Sequence, residues 1–565
     1  MEDAPTYAPI VSRSDLPPPD PDRTNWLREY HERVERNFRR GDRQPIPKEK
    51  SHVSLSDYKP WWSGHLSSRM RPHADPLKVD IDFLIVSAVE HSPQVLALRT
   101  DPLIRETAIV EEQAEFDWTA FIESKYDDNS DPVGNSLTVG GNGTRFRDHI
   151  WSQSAGVRRQ TTTGGEIEVS QRIGYQDNNS SFFIPNQQGT AKLQVSFTQP
   201  LLNGSGRAYN QSRIVLARID TDISRDELSA RLQEHLIEVN RAYWEMYRAR
   251  VVHLQKQKLL QNAVKINRIL EARRDVDSVQ RQILRTRAAV ATRRSEIARA
   301  AAAVRDAQAR LRLLVNDPSM IHAGVIEMIP TTQPKNSEIE LPMQATIHTA
   351  LMYRPDISQA IQSMRATGVR LGVAKKDLLP RLDLILGTYV SGLAGQSRLH
   401  NAYGNQFDRG EPGYSVGLIF EVPIGNRAAK ARHDRRCLEV KKALHEFHAT
   451  VEAAITDVEL AVRESRTSYQ EMEAKLQSMI TTQTEANYLL NRWRMLPGEN
   501  GSTVLLLEDL LDAQVRVAEE EFGFTNAQIS YVLAMTEVKR ATGTLLAFEQ
   551  DYRQFDLTGE TIIEE

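Results

Sequence analysis

Cysteine occurs once in the 565 residues, at Cys437. A single thiol builds neither a disulfide framework nor a cysteine-rich zinc site. Long apolar runs are also missing. No stretch of ~18 apolar residues occurs and the mean hydropathy is −0.48, so no helix is expected to cross a bilayer. That test leaves a β-barrel open, because alternating strands are hydropathically weak. Basic excess is absent too: 71 Lys and Arg stand against 75 Asp and Glu, a formal net charge of −4. Nucleic-acid binders usually carry such an excess, so no nucleic acid is expected as a partner. What remains has 7% aromatic and 26% charged residues and is rich in Ala, Arg, Glu, Leu and Gln, the composition of long helices.

The first 60 residues contain Pro5, Pro9, Pro17, Pro18, Pro19, Pro21, Pro45 and Pro47 and no apolar h-region. No export signal is visible in them. An extended arm with one short charged helix near 26–40 is expected there.

Two long helical hairpins are written in the apolar spacing. Between 204 and 273 no proline occurs, and Leu228, Leu232, Leu236, Val239, Tyr243 and Met246 fall on one helix stripe. A helix of that reach measures about 105 Å at 1.5 Å per residue. After a break near Asp275, Ile283, Val290, Ile297, Val304 and Leu311 recur every seven residues, with Ala300, Ala307 and Leu314 beside them. That is a coiled-coil seam. The pattern returns at Val451, Ile455, Val458, Val462, Ser465, Tyr469, Met472, Leu476 and Met479. It breaks at Pro497-Gly498-Glu499-Asn500-Gly501. It resumes at Leu510, Val517, Phe524, Tyr531, Val538 and Leu545, with Ala513, Ala527, Ala534 and Ala541 in the second seam position. The heptads alone suit a coiled-coil scaffold equally well.

Alternating segments precede each long helix. Tyr414, Val416, Leu418, Phe420 and Val422 share one face of a strand; Leu193, Val195 and Phe197 share another, and Leu382, Leu384, Leu386 and Val390 a third. Segments 118–126 and 167–175 alternate more weakly. Polar, Gly- and Asn-rich stretches at 127–153, 176–189 and 392–411 read as surface loops. Such strands suit either a half-buried soluble sheet or a membrane wall.

The two halves repeat one order: helix, strand, loop, strand, long helix, break, shorter helix. The junction Phe197-Thr198-Gln199-Pro200-Leu201-Leu202 is matched by Phe420-Glu421-Val422-Pro423-Ile424-Gly425. Pro200 and Pro423 end the strands, since proline cannot donate to the ladder. Gly204 and Gly425 then turn the chain into the helix. Upstream, Ser92-Pro93 parallels Arg354-Pro355. Each chain should give four full-height helical columns and about four strands, too few to close a barrel alone.

In these residues the sequence resembles the TolC-like outer-membrane efflux and secretion channel family, over about 77–548. Besides the duplicated junctions and hairpins, the resemblance rests on Gly501-Ser502-Thr503-Val504-Leu505-Leu506-Leu507-Glu508-Asp509-Leu510-Leu511-Asp512-Ala513-Gln514 and on Val538-Lys539-Arg540-Ala541-Thr542-Gly543-Thr544-Leu545-Leu546. It implies a mainly α fold with a membrane β-barrel, the duplicated strand–long-helix-hairpin repeats forming a trimeric 12-stranded barrel continued by a 12-column α-helical tunnel. It also implies an outer-membrane location reaching into the periplasm, and docking to a periplasmic adaptor and an inner-membrane pump. Neither catalysis, a cofactor nor a metal is implied. Asp509 and Asp512, with Asp275 in the comparable place of the first repeat, match the family's periplasmic entrance constriction. A ring of such carboxylates would attract cations; carboxylates favoured by the start of a helix read the same way in sequence. The adaptor-docking tips would be Arg273, Arg274, Asp277, Ser278, Pro497, Gly498, Glu499, Asn500 and Gly501. Two departures stand out. The loop after Gly501 is two residues longer than the family's usual one, and Thr503 stands where a basic residue is expected.

The expected division is an arm at 1–76, a first repeat at 77–318, an equatorial linker at 319–342, a second repeat at 343–548 and a tail at 549–565. Segment 127–188 is longer than its partner in the second repeat, leaving room for an extra hairpin. Two motifs are set aside. Gly204-Ser205-Gly206 lacks a third glycine, Tyr209 standing there, and so is no dinucleotide loop. His445-Glu446-Phe447-His448 lacks zincin spacing. The competing readings are a periplasmic adaptor, which has a single hairpin in a lipoyl-like domain, and a cytosolic coiled-coil scaffold.

Overall fold

A computed structural model describes residues 55, 58–71, 74–133, 139, 144–272, 280–321, 326–495 and 501–547, with backbone alone at 501–504. The chain divides into two units, 1–58 and 59–565, and the described helices and strands belong to the second.

The duplication is visible in element lengths. Helices α1 (Ile81–His91) and α2 (Pro93–Ala114) have 11 and 22 residues, and so do α6 (Met343–Tyr353) and α7 (Pro355–Lys376). Pro93 and Pro355 open the second helix of each pair. Proline suits a first helical turn, whose N–H has no partner in the helix. After the strands, a single turn α3 (Arg207–Asn210) leads into α4 (Ser212–Ala272), which returns as α5 (Gln280–Val315). The second repeat has α9 (Arg427–Met495) and α10 (Gly501–Ala541). Helices α4 and α9, of 61 and 69 residues, are about 90 and 100 Å long. Among the described residues no single helix is long and apolar enough to cross a membrane.

Most predicted seam residues are buried, while Val290, Ile297 and Tyr469 are half-buried and Leu545 lies beyond the end of α10. Leu228, Leu232, Leu236, Val239, Tyr243 and Met246 are buried along α4, and Leu510, Ala513, Val517, Phe524, Ala527, Tyr531, Ala534 and Val538 along α10. Small alanines opposite large apolar side chains let the helices of each hairpin pack closely.

Two sheets complete the unit. Strand β1 (Asp75–Val79) pairs in parallel with β6 (Ile326–Pro330), Leu77 lying opposite Met328. Strand β1, across the expected border of arm and first repeat, thus pairs with the expected linker. Beneath them Glu327 is 2% exposed and accepts from Arg250 of α4 at 2.6 Å, with both side chains buried. Its carboxylate also accepts the backbone N–H groups of Met70 and Arg71 at 3.1 Å. Arg250 donates to the carbonyls of Leu66 and Ser68 at 3.0 and 2.8 Å. Burial alone would raise the Glu327 pKa, but the Arg250 hydrogen bond and the two N–H donors outweigh it and hold the carboxyl below its ordinary range. One buried pair therefore fastens segment 66–71 to the helical column.

The larger sheet corrects the expected strand number. It has six strands, not four: β2 (Thr119–Pro132), β3 (Arg145–Gln160), β4 (Glu166–Asn178), β5 (Gln187–Pro200), β7 (Arg381–Gly395) and β8 (Gly413–Glu421). They lie in the order β2-β3-β4-β5-β7-β8, and every pair is antiparallel. Most of the stretch read as a loop at 127–153 is strand. The stretch at 392–411 is also no plain loop, since it finishes β7 and folds into helix α8 (Leu399–Asp408). Ala402 of α8 packs on Ala191 and Ala394 of the sheet, and Gln406 exchanges amide hydrogen bonds with Gln171 at 3.0 and 3.2 Å.

Candidate channel wall and tunnel entrance

The register sorts the sheet into two chemically distinct faces. One row across all six strands reads Ala120, Val157, Val169, Val195, Thr388 and Tyr414. Two residues along, the same face adds Ile122 of β2, Ile167 of β4, Leu193 and Phe197 of β5, Leu386 of β7 and Val416 of β8, with Ala155 and Arg159 of β3. Several of these are strongly exposed: Ile122 by 75%, Tyr414 by 85%, Val416 by 72% and Leu418 by 67%. The opposite face carries Glu123, Ser154, Arg172, Lys192 and Ser391 in one row. Lys192 lies 4.2 Å from the ring centre of Tyr389 on that face. A sheet with an exposed apolar face and an opposite polar one can separate lipid from a watery lumen.

Both strand-to-helix junctions turn where the sequence places them. Pro200 is the last residue of β5, opposite Asp383. Gly204 and Gly206 follow with φ of 79° and 88°, a region glycine enters without strain. In the second repeat Pro423 follows β8, and Gly425 has φ of 86° before α9 begins. The first junction holds a feature absent from the second. The β3–β4 turn docks on it, with the Gly206 N–H donating to the Thr163 carbonyl at 2.9 Å and the Gln199 amide donating to the same carbonyl at 3.2 Å. Lys376, at the end of α7, donates to the Ser205 carbonyl at 2.8 Å. Tyr209 donates to Asp377 at 2.9 Å, and burial together with that carboxylate pushes its pKa up to about 12.

At the far end of the helices, four segments converge. Ile266 and Leu270 of α4, Ile283 of α5, Trp493 of α9 and Leu507, Leu510 and Leu511 of α10 form one buried apolar cluster. Asp509 lies between Leu507 and Leu510 in sequence and Asp512 directly follows Leu511, and both are exposed. Glu508 beside them is met by Arg285 at 2.8 Å and Arg281 at 3.6 Å. The cluster thus fixes the helix that presents the two aspartates, while their carboxylates stay free of salt bridges among the described residues. Asp275, Arg273, Arg274, Asp277, Ser278, Pro497, Gly498, Glu499 and Asn500 lie outside the described residues. Gly501 begins α10. His445 and Glu446 sit on an exposed face of α9.

Residues 346–544, from α6 through the end of α10, match the family described as "Outer membrane efflux protein". Solved structures extend the likeness to most of the chain. The CmeC outer membrane channel of Campylobacter jejuni is 15% identical with a TM-score of 0.58, over 91% of this chain and 92% of that one. The outer membrane protein VceC of Vibrio cholerae is 14% identical at 0.57, over 82% and 96%. The MtrE outer membrane channel of Neisseria gonorrhoeae is 16% identical at 0.57, over 82% and 89%. At such identities the likeness is one of fold. No curated protein sequence matches. Over most of its length the chain therefore shares its fold with these outer-membrane channels.

Sequence reasoning missed β3, α8 and the Arg250–Glu327 pair. Arg250 had a visible signal, since it stands four residues after Met246 on the α4 stripe. A charge on an apolar stripe asks for a buried partner.

Proposed function

We propose that this protein is the outer-membrane exit duct of a tripartite efflux or type I secretion system, a passive channel that carries substrates from an inner-membrane pump past the periplasm. What carries the reading is the direct joining of a two-faced antiparallel sheet to paired helices of about 100 Å. Three copies would set twelve helical columns into a tunnel below a barrel made from three such sheets.

The entrance would lie at the apolar four-helix cluster. In a trimer Asp509 and Asp512 would place six carboxylates around the opening, with Asp275 nearby. Such a ring favours cations over anions. The adaptor would dock on the hairpin tips formed by 273–278 and 497–501.

Reconstitution in planar bilayers tests this. The wild-type chain should form cation-preferring channels, and the double variant Asp509→Asn, Asp512→Asn should lose several-fold of that preference. Unchanged selectivity would remove the aspartates from the entrance. Failure of the purified protein to form any channel would contradict the duct itself.

A further inference from the structure

The extra strands bear on how the barrel closes, an inference that rests on the trimeric duct reading above. We propose that β8 of one copy pairs with β2 of the next, so that three copies close an 18-stranded barrel instead of the 12-stranded barrel that four strands per chain would give.

The first support is continuity. The ladder runs unbroken from β2 to β8, with Thr119 to Pro132 all paired to β3 and Arg381 to Tyr389 all paired to β8. Strands β2 and β3 are not a flap folded away from the others.

The second support is chemistry on β2 and β3 themselves. Of their apolar residues, Ala120, Ile122, Tyr126, Trp151 and Val157 fall on the same face as those of the other four strands, and Phe121, Phe146 and Ile150 fall on the opposite one. Tyr126, Trp151 and Tyr175 form one register row across β2, β3 and β4, and the last two rings stack at 5.9 Å. Near the helix end, Trp118 is 52% exposed with the Arg159 guanidinium 5.7 Å from its ring centre. Trp118 and Tyr126 are eight residues apart, about 27 Å along a strand. That spacing brackets an apolar band of ~25 Å with aromatic girdles at its two edges. Strand β2 is thus built to cross the membrane.

The third support is direction. Strand β2 leads away from α2, and β8 leads back into α9. With six strands alternating, the two edges run oppositely, and an edge from the next copy meets them antiparallel. Lipid tolerates no open edge, since unpaired N–H and C=O groups have no water there. A second copy is the occupant that supplies both missing edges. At ~4.8 Å between strands tilted by ~40°, eighteen strands give a barrel about 36 Å across, against about 24 Å for twelve. The outer end of this duct would pass correspondingly bulkier cargo.

Cysteine cross-linking of the full chain in membranes decides the matter, in a Cys437→Ser background. Leu418→Cys on β8 is combined in turn with Ala120→Cys, Ile122→Cys or Ser124→Cys on β2, and separately with Ile167→Cys, Val169→Cys or Gln171→Cys on β4. All are apolar-face positions, and the three neighbours in each set cover the register. Under oxidant, at least one β2 pairing should yield covalent trimers, and no β4 pairing should. Cross-links through β4 alone would overturn the eighteen-strand closure while leaving the duct intact. No inter-copy cross-link from either set, in variants that reach the outer membrane, would overturn edge closure altogether. If bilayer conductance is then also absent, the duct reading falls with it.

Discussion

Between its helices the first repeat crosses the sheet four times, and the second crosses it twice, yet the helix pairs that lead into the strands match residue for residue in length. The difference shows which parts of such an architecture are free to change. Helical columns must stay in step, because each seam residue meets a partner at a fixed height. A sheet accepts an inserted hairpin without disturbing that register. Two added strands return the chain to the side it left, and period-two alternation keeps the apolar side chains on the same face. The insertion needs only a new anchor at its turn, which Thr163 and Gly164 supply on the first junction.

The anchoring of the repeats differs as well, and substitutions can break or sharpen the contrast. Arg250 in the first repeat is fully buried with Glu327, whereas Arg354 in the second pairs with Asp356 and Asp457, both about 40% exposed. Arg250→Ala strands a buried carboxylate and should cost about 3–5 kcal/mol. Arg354→Ala should cost about 1–2 kcal/mol, because water reaches the carboxylates left behind. Denaturant titration of the two variants checks this, and equal losses would erase the asymmetry.

A smaller effect separates the two junctions. A Cβ on Gly164 would lie 2.5 Å from the Gly204 carbonyl at a φ of 92°, while one on Gly425 meets nothing within 4 Å. Gly425→Ala should therefore cost only the backbone strain, about 1 kcal/mol. Gly164→Ala should cost at least 1 kcal/mol more, since it also pushes the β3–β4 turn off the junction. Comparable stabilities would mean that the docked turn contributes nothing.

The smallest effect is graded by pH. The Glu327 carboxyl is held below its ordinary range in the folded chain. Its contribution is present above the unfolded glutamate pKa of about 4.3 and is lost as pH falls from there. Protease cleavage within 66–71 should rise as pH drops below about 4, and Glu327→Gln should flatten that rise while raising cleavage at neutral pH. A pH-independent wild type would contradict the depressed carboxyl.

Long elements with one repeated spacing were legible in the sequence. The seams of α4, α5, α9 and α10 announce themselves because burial recurs every three or four residues over many turns. Strands β5, β7 and β8 were legible because Val195, Leu386 and Leu418 alternate with small or polar neighbours. Strand β3 was hidden because Gln153 and Ala155 interrupt its apolar face and Arg158 and Arg159 close it. Helix α8 was hidden because its buried positions are Ala402 and Gln406, which read as loop residues. The Arg250–Glu327 pair joins positions 77 apart, and only the fold brings them together. At the entrance, the spacing of Asp509 and Asp512 was visible, whereas the apolar cluster beneath them needed four segments in contact.

Single-particle imaging of the full chain in lipid nanodiscs tests the central claim most directly. The account predicts a three-fold tube with a helical portion of about 100 Å, capped by a membrane barrel in which eighteen strands can be counted. A soluble rod or dimer with no barrel would contradict it.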